Sequence, residues 1–81
     1  MSHLNDDFNT AILNNNVKLV KILLSNEQLV ISDIAIESAV ENNYLEIFKL
    51  FLKDPRVKSL NYIIRLVVSA GHKEMLKILL K

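Results

Sequence analysis

Apolar residues in this chain recur in short groups whose spacing is that of amphipathic helices. The clearest group occupies positions 19, 20, 23 and 24, and the same spacing begins again at 47 and at 75. Apolar residues at i, i+1, i+4 and i+5 share one side of an α-helix, because a turn takes about 3.6 residues. The pattern therefore predicts three helices that each bury one face.

A weaker helical pattern precedes each of these helices. It predicts first helices over about 7–14, 33–42 and 61–70. Ser32 or Asp33, and Asn61, have side-chain oxygens suited to accept from the free amides at the start of the last two. Residue types that tolerate turn conformations separate the two helices of each pair: Asn15 and Asn16, Asn42 and Asn43, and Gly71. The sequence thus predicts three helix-turn-helix pairs.

The three pairs are copies of one another at a spacing of 28 residues, with no gap in either step. Eight positions are apolar in all three copies: Phe8/Ile36/Ile64, Ala11/Ala39/Val67, Ile12/Val40/Val68, Leu19/Ile47/Met75, Val20/Phe48/Leu76, Ile22/Leu50/Ile78, Leu23/Phe51/Leu79 and Leu24/Leu52/Leu80. In a chain with 51% hydrophobic residues, a given position is apolar three times by chance only about one time in eight. This agreement indicates an internal repeat.

A single helix pair of this size cannot bury its apolar face, whereas stacked pairs bury a continuous core between them. The chain is therefore predicted to be one domain of three units, approximately 4–31, 32–59 and 60–81. Leu29 and Val57 occupy matching connector positions and are expected to point inward, and Pro55 ends the second helix of the middle unit. The last helix has no following unit in this sequence, so its Met75, Ile78 and Leu79 are predicted to form an open face. Either the chain is a piece of a longer array, or this face meets another protein or a second copy of the chain.

Composition narrows the function more than the fold. A net charge of +1 gives no electrostatic case for nucleic acid or an anionic membrane, which bind proteins by neutralising several phosphates. The absence of cysteine removes disulfides, thiolate catalysis and cysteine metal sites. Apolar runs are too short to span a bilayer, and the start of the chain resembles no export signal. We therefore expect an intracellular, most simply cytoplasmic, protein.

Three segments carry a family resemblance. "AGHKEMLKILL" resembles the "GHxEVVKLLL" second helix of ankyrin repeats, "NNYLEIFKLFL" is similar to it, and "NNVKLVKILLS" is a weaker version. "DFNTAI", "IAIESAV" and "YIIRLVV" fall where the family has its "TPLHxAA" first helix. None of the units has that Thr-Pro-Leu-His start, and the period is 28 residues where the family has about 33. The resemblance implies an all-α, ankyrin-like helix-turn-helix repeat solenoid with shortened connectors.

The resemblance also implies a function. Ankyrin-like proteins bind other proteins through the concave face of their first helices and through the connector tips, without a cofactor, a metal or a catalytic group. Carried onto this chain, that face comprises Thr10, Leu13, Asn14, Ser38, Glu41, Asn42, Leu66, Ser69 and Ala70. Leu13 and Leu66 are the expected apolar anchors. The alternative is that this face is an ordinary solvated surface with no binding role.

Several polar residues have a structural explanation beside a functional one. Glu37 and Arg65 are a candidate ion pair between units, because no nucleophile accompanies them for catalysis. Lys49 and Lys77 each follow a glutamate by three residues, which favours surface ion pairs over a phosphate-binding ladder. His72 lies in a turn with no His or Cys near it in sequence, which favours a turn role over metal binding.

Three other classes of function remain beside the binding scaffold. Unpaired end faces favour a self-associating structural protein, as a closed homodimer through like ends or an open stack through unlike ends. "SAGHKEM" is compatible with the turn of a DNA-binding helix-turn-helix, although the charge is too balanced for one. An enzyme is the least favoured class, because no nucleophile, base and orienting group can be assembled.

Overall fold

In a computed structural model, which describes residues 3–80, the chain forms α-helices joined by short turns and connectors. The helices are α1 Leu4–Leu13, α2 Val17–Leu24, α3 Asp33–Glu41, α4 Leu45–Lys53, α5 Leu60–Ala70 and α6 Lys73–Leu79. Residues 3–80 include no β-strand. The predicted all-α class is therefore confirmed for this part of the chain.

The helices pack as consecutive hairpins, in which α1 lies against α2, α3 against α4 and α5 against α6. Each first helix also contacts the next first helix, so that α3 lies between α1 and α5. In the same way α4 contacts both α2 and α6. We call α1, α3 and α5 the first-helix layer, and α2, α4 and α6 the second-helix layer. The longest dimension of the molecule is 38 Å.

One apolar core runs between the two layers. Its members are Phe8, Ala11, Ile12, Val20, Leu29, Ala35, Ile36, Ala39, Val40, Ile47, Phe48, Phe51, Ile63, Val67 and Met75. Phe48 and Phe51 are completely buried, as the sequence predicts, and the ring of Phe51 lies 6.0 Å from that of Phe8. Leu29 is buried and Val57 packs half-buried against the core, so both connector residues point inward as expected.

The turn between the two helices has the same backbone in each hairpin. Asn15, Asn43 and Gly71 have positive φ angles of 52°, 57° and 73°. The amide after each of them donates to a carbonyl five residues back, as from Asn16 to Ala11 at 2.8 Å and from Tyr44 to Ala39 at 2.9 Å. This left-handed end satisfies carbonyls that the helix leaves free, and glycine and asparagine adopt it at low cost.

Gly71 tests this explanation of the turns, because a Cβ added there meets no atom within 4 Å. We expect Gly71→Ala to lower the free energy of unfolding by about 1 kcal/mol, through backbone strain alone. Gly71→Asn is expected to cost less, since asparagine holds the same conformation at two equivalent positions. Urea unfolding followed by circular dichroism measures both. Equal midpoints for the wild type and Gly71→Ala would contradict the explanation.

The helix starts agree only in part with the sequence. The Ser32 hydroxyl accepts from the Ala35 amide at 3.3 Å and caps α3, as predicted. The prediction for Asn61 is wrong, because α5 already begins at Leu60 and has no side-chain cap. Helix α1 begins at Leu4, earlier than predicted, because Leu4 packs against the core and extends the helix.

The two connectors share a turn, and Arg56 ties them together. The side chains of Asn26 and Asp54 each accept from the amide two residues later, at 2.8 and 2.9 Å. The Arg56 guanidinium donates to both carboxylate oxygens of Asp54, at 2.9 and 2.7 Å. It also donates to three backbone carbonyls of the first connector and of the end of α2: Leu24, Asn26 and Leu29. Arg56 therefore joins the middle hairpin to the first one.

Candidate functional site

The exposed side of the first-helix layer carries the residues that the sequence nominates for binding. We call this surface the first-helix face. Seven of the nine are exposed, namely Thr10, Leu13, Asn14, Glu41, Asn42, Ser69 and Ala70. Ser38 and Leu66 are half-buried, and Leu66 packs against the core. The surface is therefore accessible, but Leu66 contributes to stability as well as to the surface.

Part of this set is brought together in one depression. Glu41, Leu66, Ser69 and Ala70 line it together with Val40, where the last turns of α3 and α5 lie side by side. The depression has a volume of about 250 Å³ and a largely apolar lining, since Val40, Leu66 and Ala70 contribute carbon atoms. An aliphatic side chain of a partner fits such a depression.

Leu13 stands apart from the depression, at the end of α1. It is 61% exposed, which makes it the clearest apolar contact point in α1. The hydroxyl of Tyr44 donates to the Leu13 backbone carbonyl at 3.2 Å. This bond fixes the end of α1 against the turn between α3 and α4, so Leu13 is presented on a braced backbone.

Two of the polar candidates interact with the ends of their own helices. The Asn42 side-chain amide donates to the Ser38 carbonyl at 2.8 Å, and Asn42 ends α3 as its cap residue. Asn14 ends α1 in the same way, with its backbone amide donating to Thr10. These asparagines close helix ends, so the face is better described by its apolar and charged side chains.

Glu37 is paired differently from the prediction. Between residues 3 and 80 there is no ion pair between Glu37 and Arg65, and the Tyr62 hydroxyl instead donates to the Glu37 carboxylate at 2.5 Å. The predicted ion pair is absent because α5 packs against α3 with Tyr62 beside Glu37, while Arg65 is exposed to solvent. The contact still joins the second and third hairpins, as an ion pair at these positions was expected to do.

This environment changes the ionisation of Tyr62. The hydrogen bond to Glu37, partial burial, and the negative charges of Glu37, Asp33 and Glu41 raise the pKa of Tyr62 to about 12. An ordinary tyrosine has a pKa of 10.0. Because the folded value is the higher one, this contribution to stability is complete below pH 10 and is lost as the pH rises towards 12.

We expect an absorbance titration at alkaline pH to show the shift. Tyr44→Phe leaves Tyr62 as the one remaining tyrosine, since the sequence has two. Its ionisation midpoint should lie near 12, and adding Glu37→Gln should lower it markedly by removing the charged acceptor. Circular dichroism at each pH confirms that the protein is still folded. An unchanged midpoint in the folded Glu37→Gln variant contradicts the assigned contact.

The charged residues separate by layer, which the overall charge of +1 conceals. The first-helix layer carries five acids against one arginine, a net charge of −4: Asp6, Asp7, Asp33, Glu37, Glu41 and Arg65. The second-helix layer carries six lysines against two glutamates, a net charge of +4: Lys18, Lys21, Lys49, Lys53, Lys73, Lys77, Glu46 and Glu74. The acids of α3 follow one another every four residues and so lie along one side of that helix.

Comparison with models of known protein families, with curated proteins and with solved structures finds no match. In the part of the chain that the structure describes, no helix is long and apolar enough to cross a membrane. The same residues include no group of three or more His, Asp or Glu side chains arranged to hold a metal ion. Any functional conclusion therefore has to come from the surface geometry.

The predicted pairs on the second-helix layer are present. Lys49 lies 3.5 Å from Glu46, and Lys77 lies 3.6 Å from Glu74. These pairs are exposed and therefore contribute little to stability. Lys81 lies outside the described residues. His72 precedes α6 as its cap residue but makes no side-chain capping bond, so its predicted turn role is limited to the backbone.

Sequence reasoning missed a group of apolar side chains at the other end of the first helices. Val30 and Ile34 are 62% and 68% exposed, in the first connector and the first turn of α3. Leu60, at the start of α5, is 52% exposed. Their positions are not apolar in all three copies of the repeat, so the comparison between copies passed over them. The signal available in the sequence was an apolar residue at a position that is not apolar in all three copies.

The open face predicted on the last helix needs correction. Met75 is completely buried, because α6 packs on α4 and turns this residue towards the preceding hairpin. Ile78 and Leu79 are half-buried against the core. The exposed apolar residues at this end are instead Val68 at 60% and Leu80 at 77%.

Proposed function

We propose that this chain is a non-enzymatic scaffold that binds another protein through the first-helix face. The observation that carries the proposal is the combination of a net negative first-helix layer with the exposed Leu13 and the depression beside Leu66. Scattered surface leucines alone mean little, but apolar contact points set in a field of one sign are typical of a recognition surface.

An ankyrin-like repeat solenoid is the architecture we propose for this scaffold. Its support is the recurrence, every 28 residues, of the left-handed turn at Asn15, Asn43 and Gly71. The side-by-side contacts of successive first helices and of successive second helices give further support. In such an arrangement the first helices present a continuous surface, which suits binding of an extended partner segment.

The partner segment that fits this surface carries basic and aliphatic side chains. Asp33, Glu37 and Glu41 would attract lysine or arginine, and long-range attraction of this kind raises the association rate and falls with added salt. An aliphatic side chain would enter the depression beside Leu66, while Leu13 would contact a second one. Val30 and Ile34 extend the apolar surface towards the connector tips.

Selection from a library of displayed random peptides tests the proposal, with the folded chain as the immobilised target. We expect enriched peptides to combine basic with aliphatic residues and to bind more weakly as salt is added. Leu13→Ser should reduce the affinity of these peptides about tenfold, the loss expected when one apolar contact of about 1.4 kcal/mol is removed. Fluorescence anisotropy of a labelled enriched peptide measures the affinity.

A matched control is available on the opposite layer. Ile22 in α2 is 58% exposed, close to the 61% of Leu13, so Ile22→Ser changes the same amount of exposed apolar surface. It should leave peptide affinity unchanged. Enrichment of acidic peptides, or equal effects of Leu13→Ser and Ile22→Ser, would reject the first-helix face as the binding site.

A further inference from the structure

The two ends of the molecule differ in the side chains that they leave uncovered. Because the hairpins repeat every 28 residues, each end can be compared with interfaces that already exist inside the molecule. A position that is buried in two hairpins and uncovered in the third identifies what a neighbouring hairpin would cover.

At the C-terminal end, three positions lose their cover, and Leu80 is more exposed than its half-buried equivalents Leu24 and Leu52. The equivalents of Val68 are Ile12 and Val40, which are 0% and 1% exposed, whereas Val68 is 60% exposed. The other uncovered residues are also more exposed than their equivalents in the first two hairpins. We call the four residues the C-terminal end face: Ile64, Val68, Leu76 and Leu80. All four are apolar, so this face continues the internal interfaces without a change of chemistry.

At the N-terminal end, a different set is uncovered. Leu19 is 37% exposed, although its equivalents Ile47 and Met75 are both at 0%. We call the corresponding surface the N-terminal end face: Asp7, Leu19 and Ile22. Its distinguishing member is Asp7, whose equivalents Ala35 and Ile63 are each only 1% exposed.

Asp7 prevents the N-terminal end face from continuing the stack. Covering it as Ala35 is covered would take a carboxylate out of water without a cation beside it, which costs several kcal/mol. Leu60 and Ile64, the α5 equivalents of the α1 residues Leu4 and Phe8, offer it no positive charge.

We propose that two copies of this chain associate through their C-terminal end faces, in a closed two-fold dimer. The face has the two features that self-pairing needs, a projecting side chain and a depression. Leu80 is 77% exposed, and a depression of about 180 Å³ lies among residues that include Val68 and Leu76. Lys73 also lines the depression, and its flexible aliphatic stem allows the ammonium group to remain in water at the rim.

This pairing goes beyond the proposed binding function, because it uses the end of the molecule and leaves the first-helix face free. Which faces pair also determines whether the assembly is a closed dimer or an open stack. A dimer through like faces closes, whereas pairing of the C-terminal end face with the N-terminal end face of the next copy continues without limit. The uncovered apolar area is small, so the dissociation constant should be on the order of 100 μM.

Sedimentation velocity of the full chain, from micromolar to millimolar concentration, tests the proposal. We expect a monomer that converts to a dimer and to nothing larger. Val68→Glu should abolish the dimer, while Ile22→Glu, which places the same charge at a side chain of nearly equal exposure on the other end, should leave it unchanged. Circular dichroism confirms that both variants are folded.

Asp7→Ala provides the opposite change. Removing the carboxylate should allow the N-terminal end face to accept a C-terminal end face, so species larger than a dimer should appear. Three results would overturn the proposal: a wild-type monomer at millimolar concentration, wild-type species that grow beyond a dimer, or equal loss of association in Val68→Glu and Ile22→Glu. Leu13→Ser should leave dimerisation intact, which separates this result from the outcome of the peptide-binding test.

Discussion

Phe51→Ala should lower the free energy of unfolding by about 3–5 kcal/mol, the range found when a large aromatic side chain is removed from a packed core. Phe51 is completely buried in α4, and its ring contacts that of Phe8 across the two layers at 6.0 Å. A chain of 81 residues has a total stability of about 4–12 kcal/mol. The loss is therefore a large fraction of everything that holds the fold together.

The repeat supplies the control for this prediction. Leu79 is the equivalent of Phe51 in the last hairpin, where it is only half-buried. We expect Leu79→Ala to cost about 1–2 kcal/mol, since a partly exposed side chain leaves a smaller cavity and loses less burial.

Urea unfolding measures both variants. With a dependence of about 1 kcal/mol per molar urea for so small a protein, the Phe51→Ala midpoint should fall by about 3 M or more. The Leu79→Ala midpoint should fall by about half as much or less. Equal losses at the two positions would contradict the lower burial of Leu79.

Arg56→Gln should lower the free energy of unfolding by about 2–3 kcal/mol, a large effect for a connector residue. Arg56 bonds both oxygens of Asp54 and three backbone carbonyls of the preceding hairpin. Glutamine is the residue at the equivalent position of the first connector, Gln28, so the substitution introduces a side chain that the repeat already uses. The substitution removes the charged, planar guanidinium group, whose N–H donors reach several acceptors at once.

Two further variants show that the fork is responsible. Arg56→Lys keeps the charge but not the planar geometry, so it should recover only part of the loss. Lys58→Gln removes a charge from an exposed neighbour in the same connector and should cost less than about 0.5 kcal/mol. Equal stability of Arg56→Gln and Lys58→Gln would show that the bonds between the hairpins contribute nothing.

The acid side of the stability profile gives an independent check. The hydrogen bond from Arg56 holds the pKa of Asp54 below its ordinary value of 3.8. A lowered folded pKa stabilises the protein above pH 3.8, and this stability is lost as the pH falls through the lower folded value. The difference in stability between the wild type and Arg56→Gln should therefore narrow below pH 3.8. A constant difference would exclude the ionised Asp54 as the partner.

Local pattern was sufficient to predict most of the helical elements. The apolar spacing predicted the helix pairs, the burial of Phe48 and Phe51 and the inward direction of Leu29, and the structure agrees. Ser32 was identified as a helix start from its chemistry alone. These features depend on residues within one or two turns of each other, and such short-range information is fully present in the sequence.

The candidate site was only partly predictable. The family resemblance implied that Glu41, Leu66, Ser69 and Ala70 lie on one face of the first helices, and the structure brings them into one depression. Whether each side chain is free to bind could not be read from the copies. Leu66 is half-buried by its neighbours, and the side-chain amide of Asn42 donates to a carbonyl of its own helix.

The sequence by itself determined the helix-turn-helix pattern, the burial of Phe48 and Phe51, and the turn positions that favour Asn or Gly. Only the tertiary structure decided that Arg56 reaches carbonyls up to 32 residues away and that Tyr62 is the partner of Glu37. It also decided that Met75 is covered while Val68 is not, and that acids and lysines separate into two layers. The physical reason is the range of the interactions. Periodicity and capping act within a turn or two, whereas contacts and fields between hairpins depend on which residues packing brings together.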